Sequence, residues 1–246
     1  MNKLFIIIVL FFAVIFDLEA QISTSSPYSR FGLGELQNDI LPEFSAIGGA
    51  TIALGHSKSI NYTNPATYAS FLPNSFLLST GGWYQNTQIK NQLNQQIANN
   101  SGFSHLLLGF PLARNFAAST GLIPFSGTGY EINTRDTAYN ADLNYYGDGG
   151  ISKIYFGGAY ELINGLSIGV NASYLFGGLN RRKQLVFDDN SFINSRSNSK
   201  INLKGYYYEI GILFEKMFNQ HDKFSVGITA NNNTLIRAKK TELAES

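Results

Sequence analysis

Apolar and polar residues alternate over long stretches of this chain. The clearest stretch runs from Leu166 to Phe176, where apolar residues fill the even positions and Ser, Gly and Asn fill most odd ones, Leu175 excepted. A period of two places the two sets on opposite faces of a β-strand. Similar stretches predict seven strands in all, at 76–89 (the least regular), 103–112, 116–126, 150–162, 166–177, 202–217 and 223–235.

Two environments produce such strands. In a soluble sandwich the apolar face is the core, whereas in an outer-membrane barrel it meets lipid and the polar face lines the lumen. The polar faces here hold mostly Gly, Ser, Asn and Thr, and aromatic residues such as Trp83, Tyr174 and Phe214 gather toward strand ends, as interfacial girdles do. These features favour an all-β fold that is a transmembrane antiparallel β-barrel. A secreted β-sandwich adhesin is the soluble alternative.

The predicted connections alternate in length. They are 13, 23 and 24 residues long at one end of the strands and 3, 3 and 5 at the other. Outer-membrane barrels have long loops outside the cell and short turns in the periplasm, whereas a sandwich has no reason to sort its loops in this way. Turn-forming pairs such as Asn164-Gly165 mark the short connections.

Seven strands are an odd number, while a single-chain barrel of this kind has an even one. The last residues, 241–246, are polar and do not have the pattern of a closing strand. An open sheet in lipid would leave backbone donors unpaired. The sequence therefore predicts an incomplete barrel, continued in a longer protein, and the assembly of several chains is the alternative.

The first 20 residues predict a signal peptide. Lys3 precedes an apolar run from Leu4 to Phe16, which is too short to span a bilayer as a helix and is typical of a signal-peptide core. A membrane-anchor helix is the alternative. Export to the outer membrane is the predicted localisation.

Residues 21–75 have a different character. They include a run of small residues around Gly48 and Gly49, which permits close backbone packing. Asn64 is placed to cap a short helix with Pro65 at its first position. This block predicts a compact hatch that precedes the strands at 76–246.

The small-residue segment, the Asn64-Pro65-Ala66 motif and the long alternating strands together resemble the outer-membrane long-chain fatty-acid and toluene transporter superfamily. The stretches Lys153-Ile154-Tyr155-Phe156-Gly157 and Gly169-Val170-Asn171-Ala172 are similar in style. Ser29-Arg30-Phe31-Gly32 resembles the opening of Bacteroidetes-type exported barrels.

This resemblance implies a 14-stranded barrel with an N-terminal hatch, of which the chain would form about half. It implies a channel for passive uptake of hydrophobic small molecules such as long-chain fatty acids, gated by Gly48, Gly49, Asn64 and Pro65. The related shuttle proteins of type IX secretion share this architecture. A non-transporting shuttle or adaptor, with secretion-system proteins as partners, is therefore the alternative function.

Four side chains are candidates for the lumen because they lie on the polar faces. Ser167 and Asn171 alternate with the apolar row of one strand, and Glu161 and Glu209 do so in two others. The expected partners are outer-membrane lipid and a hydrophobic ligand. Lipopolysaccharide is a further one if Arg181-Arg182-Lys183, placed in a predicted loop, is more than a solvated surface.

Composition argues against several other functions. The formal net charge is +1 and charged residues make up 14%, without the basic stripe of a nucleic-acid-binding protein. There is no Cys, and His56, His105 and His221 lack ligand spacing, so we expect neither a metal nor a cofactor. Gly165-Leu166-Ser167-Ile168-Gly169 matches a nucleophile elbow, but its Ser lies in a strand, and we expect no enzyme.

Overall fold

The computed structural model describes residues 24–37, 40–90, 95–189, 191–219, 222–233 and 235–245. The predicted signal peptide at 1–20 lies outside these residues. Within them the chain forms a single antiparallel sheet, which confirms the all-β prediction. Its strands are β1 (Glu35–Leu36), β2 (Leu77–Lys90), β3 (Gln95–Ala113), β4 (Phe116–Asp136), β5 (Ala141–Ile163), β6 (Leu166–Phe187), β7 (Ser195–Met217), β8 (Lys223–Asn231) and β9 (Arg237–Glu245).

The sheet is a meander in which β2 to β8 follow one another in sequence order. β8 pairs with β7 from Glu209 to Met217, and β9 pairs with the other half of β7, from Arg196 to Lys204. β8 and β9 therefore occupy one interrupted strand position. The short β1 pairs with β4, so the main sheet has seven lateral positions.

The strands are much longer than the alternation predicts. Most of the loops expected at 127–149 and 178–201 are strand, and their connections shrink to 137–140 and 188–194. Arg181-Arg182-Lys183 lies within β6 instead of a loop, and the polar end of the chain is β9. The alternation fades in these regions because polar and charged residues outnumber the scattered apolar ones, although the backbone ladder continues.

One face of the sheet is an exposed apolar band. Its rows follow the register: Leu106, Leu122, Ile154, Tyr174 and Tyr206 are successive partners from β3 to β7. On β6 the band runs from Leu166 to Phe176, which is about 33 Å along the strand at about 3.3 Å per residue. With a tilt of about 40° this gives about 25 Å, the height of the apolar band of an outer-membrane barrel.

The other face is concave and covered by residues 24–75, called the N-terminal segment below. Its helices are a 3₁₀ turn at Pro27–Arg30, α1 (Pro42–Ser45) and a 3₁₀ helix at Pro65–Ser70. This last helix contacts every strand from β3 to β7. Five strands about 4.8 Å apart span about 19 Å, whereas six 3₁₀ residues span about 12 Å, so the sheet must curl around the helix.

The N-terminal segment runs along the whole concave face. Ser29 hydrogen bonds to the backbone of Gly129, in the half of β4 that lies farther from the short turns and is called distal below. The Arg30 guanidinium lies 4.0 Å from the centre of the Tyr145 ring. At the opposite end, Ser70 donates to Glu215, near the 164–165 and 218–222 turns. None of the described helices is long and apolar enough to cross a membrane.

We predict that a charge in the apolar band destabilises the sheet in lipid. Val170→Arg, in the middle of the β6 band, should lower the free energy of unfolding by about 2–4 kcal/mol because a guanidinium loses its hydration there. Gln88→Arg, on the same face of the sheet but beyond the band on β2, is the control because its register partner, Ile97, is uncharged. Unfolding in lipid vesicles can be followed through Trp83, the single tryptophan. Equal stability of the two variants would contradict a lipid-facing band.

Candidate functional site: the polar core beneath the N-terminal segment

The buried 3₁₀ helix begins as the sequence predicts. Asn64 is its N-cap, with its Oδ1 accepting from the Ala66 amide at 3.0 Å, and Pro65 is the first helical residue. The Asn64 Nδ2 donates to the carbonyls of Ile52 at 2.6 Å and Ile212 at 3.2 Å. One side chain thus caps the helix and fastens the N-terminal segment to β7.

Glycines in the sheet allow this close approach. A Cβ at Gly169 would overlap the backbone of Pro65, and a Cβ at Gly211 would overlap the side-chain amide of Asn64. Gly169 on β6 and Gly211 on β7 are register partners. The sheet therefore has a smooth floor where the helix is seated.

Asn171 on β6 is the central polar contact between sheet and N-terminal segment. It is fully buried, accepts from the Tyr68 hydroxyl at 3.0 Å and donates to the Tyr62 carbonyl at 3.1 Å. Its Nδ2 also lies 3.3 Å from a carboxylate oxygen of Glu209. The amide therefore joins two residues of the N-terminal segment to two neighbouring strands.

A buried ion pair lies beside this amide. Lys153 is 1% exposed, and its ammonium is 3.9 Å from the Glu209 carboxylate. The same nitrogen lies 5.2 Å from the centre of the Tyr62 ring and 5.5 Å from that of Tyr207. Aromatic faces attract a cation, so the two rings and the carboxylate together offset its lost hydration.

Tyrosine hydroxyls complete the group. Tyr155 and Ser119 are hydrogen bonded at 2.8 Å, and the Tyr62 and Tyr155 rings lie 6.1 Å apart. Burial raises the pKa of the Tyr68 phenol well above its usual value, so this hydroxyl remains a donor to Asn171. We call Tyr62, Asn64, Tyr68, Lys153, Asn171 and Glu209 the polar core.

Two of the lumen candidates lie elsewhere, at the tight-turn end. Glu161 accepts from the Gly165 amide at 2.9 Å and so closes the 164–165 turn. Ser167 is buried beside a cavity of about 450 Å³ that the Glu215–Lys223 ion pair also lines. Of the four candidates, only Asn171 and Glu209 belong to the polar core.

Gly48 and Gly49 are likewise apart from the polar core. Both lie just after α1 and have positive φ, +68° and +77°. The Gly48 amide donates to the carbonyl of Ser45, and the Gly49 amide donates to that of Phe44. They form the turn that ends this helix. Gly48 is exposed, with open space where a Cβ would project.

The arrangement suits attachment more than reaction or passage. The hydroxyls, amides and charges of the polar core mostly point at one another. Among the described residues, no group of three His, Cys, Asp or Glu is placed to hold a metal ion. The carbonyl and amide contacts bind the N-terminal segment over the middle of the concave face.

The sequence held a usable signal for Lys153 and Tyr155. Both lie on the face opposite Ile154 and Phe156, which the alternation assigns to the lumen. No signal in the sequence pairs Lys153 with Glu209, because a strand lies between β5 and β7. Tyr68 was missed because the helical residues after Pro65 show no periodicity.

A curled antiparallel sheet with an exposed apolar band and an occupied concave face defines a protein of the outer-membrane β-barrel type. The model of one family, BamG, matches residues 1–246, and the chain belongs to this family. BamG is a component of the BAM complex, which assembles outer-membrane proteins, and this confirms the predicted location in the outer membrane. Searches of curated proteins and of solved structures each found no match.

The family corrects several predictions. The chain is not a member of the fatty-acid and toluene transporter superfamily, and both a fatty-acid channel and a type IX shuttle were wrong as functions. The expected partners, namely outer-membrane lipid and lipopolysaccharide, a hydrophobic ligand and type IX secretion proteins, were wrong as well, because the family implies partnership with proteins of the BAM complex. A small-residue segment and a capped helix serve here to pack a segment closely inside a curled sheet, so these motifs do not identify a transporter.

We predict that a methyl group on the floor of the polar core displaces the N-terminal segment. Gly169→Ala should cost about 1–3 kcal/mol because its Cβ overlaps the Pro65 backbone, and it should expose residues 24–75 to protease. Gly158→Ala, on the apolar face of β5, is the matched control because its Cβ would meet only ordinary contacts. Equal protease resistance of the two variants would contradict the seat described above.

We also predict strong coupling between Lys153 and Glu209. Lys153→Met should lower the free energy of unfolding by about 3–5 kcal/mol because it leaves the Glu209 carboxylate without its cation. Adding Glu209→Gln should recover part of this loss. Denaturation of the four members of the cycle measures the coupling, and strictly additive effects would show that the pair contributes nothing.

Proposed function

We propose that this chain is a structural subunit of the BAM complex, embedded in the outer membrane, and that it acts by holding partner proteins without catalysis or solute transport. Membership of the BamG family supports a place in that complex. The observation that carries the rest is the polar core, which fastens the N-terminal segment across the concave face.

The proposal includes a finer architecture. The seven strand positions would form about half of a 14-stranded barrel, with the N-terminal segment as its plug. Among the described residues, β2 has no neighbour on its outer side, and neither do β8 and β9. Lipid cannot satisfy such edges, which supports closure by further strands.

The contacts of the polar core favour a plug that stays fixed instead of one that moves as a gate. Asn64 bonds to β7, Tyr68 and Tyr62 bond to β6, and Tyr62 also contacts Lys153 of β5. A movement that opened the concave face would break these contacts together. Each buried polar group left unpaired costs about 1–3 kcal/mol, so opening is strongly unfavourable.

Depletion of this protein in its own cells tests the proposed function. We expect the amounts of many integral outer-membrane proteins to fall together, because their assembly requires the complex, and wild-type protein to restore them. Quantitative proteomics of the outer-membrane fraction is the measurement. Unchanged levels of these proteins would overturn the proposal, and a selective defect in uptake of one solute would do so as well.

A further inference from the structure

Beyond the apolar band, the convex face of the sheet becomes positively charged. β6, β7 and β9 contribute five exposed basic side chains to this region, here called the basic surface: Arg182, Lys200, Lys204, Arg237 and Lys239. Their direction is fixed by their neighbours. Leu179, Ile201 and Leu203 pack in a hydrophobic cluster on the concave side, so the residues that alternate with them point outward.

The register brings these side chains together. Lys204 is the partner of Arg237, and Lys239 is the partner of Asn202, two residues from Lys204. Partners in an antiparallel pair have Cβ atoms about 5 Å apart, so like charges placed opposite each other repel. The charges are not compensated locally, because the ion pairs found among the described residues involve Arg135, Lys153, Lys223 and Lys240 instead.

Positive charge is concentrated in the basic surface although the whole chain is nearly neutral. The carboxylates nearest to it are Asp148, whose register partner on β6 is Asn180, and Glu245, at the end of β9. Neither forms an ion pair with the basic surface among the described residues. A destabilising cluster of like charges on an otherwise balanced chain favours a function in recognition. The chemistry that fits five unpaired cations is a surface of carboxylates or phosphates.

The height of the basic surface decides between these two. Lys204 is the register partner of Phe176, where the band ends on β6. Lys200 lies four residues further along β7, and Asn198, the partner of Arg182, lies six residues further. These separations rise about 13 and 20 Å along the strand, or about 10 and 15 Å above the band at a tilt of about 40°. The polar headgroup layer on one side of a bilayer is only about 5–8 Å deep, so Lys200 and Arg182 lie above it and are placed for contact with a protein.

We propose that the basic surface binds an acidic, Asp- and Glu-rich face of a neighbouring protein. The inference rests on the proposed function in one respect, namely that this neighbour is a subunit of the same complex. The contact would mainly orient the two proteins and speed their association, and would change the affinity less, because charged groups at the edge of an interface act in this way.

Charge reversal in the full-length protein, expressed in its own cells, tests the proposal. The variant combines Arg182→Glu, Lys200→Glu and Lys204→Glu. The control combines Lys58→Glu, Arg114→Glu and Lys216→Glu, which make the same change of charge on exposed residues near the tight turns. We expect the basic-surface variant to recover at least ten-fold less of the complex on affinity isolation at moderate salt, while the control recovers as much as wild type.

A photoreactive residue in place of Asn180, the exposed register partner of Lys200, identifies what lies on the surface. We expect a cross-link to a protein subunit, mapped by mass spectrometry to a peptide rich in Asp and Glu. Adducts with lipopolysaccharide alone would overturn the proposal, and so would undiminished recovery of the complex by the basic-surface variant.

The two proposals fail separately. If depletion impairs outer-membrane assembly and the basic-surface variant fully restores it with normal recovery of the complex, the basic surface is wrong and the proposed function stands. If depletion has no effect on outer-membrane proteins, the proposed function is wrong whatever the cross-linking shows.

Discussion

A curled sheet in a membrane has an inner face whose polar groups must be satisfied without lipid, and in this protein the N-terminal segment satisfies many of them. Asn171 accepts from Tyr68, donates to Tyr62 and lies beside Glu209, all within a buried layer. The same strands carry the apolar band on their outer face and contact the buried helix on their inner face. The fold depends on both, because residues such as Val170 and Asn171 are adjacent in sequence and serve opposite environments.

Much of the fold could be read from the sequence, since its signals are local. The two-residue period located the seven strand positions, and Asn64-Pro65 predicted the start of a buried helix. The distal halves of β4 to β7 could not be read in this way, because their apolar residues, such as Leu179 and Leu203, are too scattered to give a hydrophobic period. The break between β8 and β9 was also invisible, since it is defined by pairing with β7.

The site was predicted only in part, and for a physical reason. Asn171 and Glu209 were placed on the inner face by alternation, which is a property of each strand alone. The Lys153 contact with Glu209 needs the order of three strands, and the contact with Tyr62 needs the path of the N-terminal segment. Motifs built from small residues reveal that something packs closely, but not what the packed object does, and this is why the resemblance to transporters misled.

The bond from Asn64 to the Ile212 carbonyl joins residues 148 positions apart, whereas successive strands of the meander are joined by short connections. Loop closure over such a separation costs entropy that only finished contacts return, so long-range pairing forms late. The N-terminal segment, which is made before the strands, should then be among the last parts of the chain to reach its final partners. We therefore expect the inner face of the sheet to remain open to water until β7 is in place, and the seating of the helix to be a late step of folding.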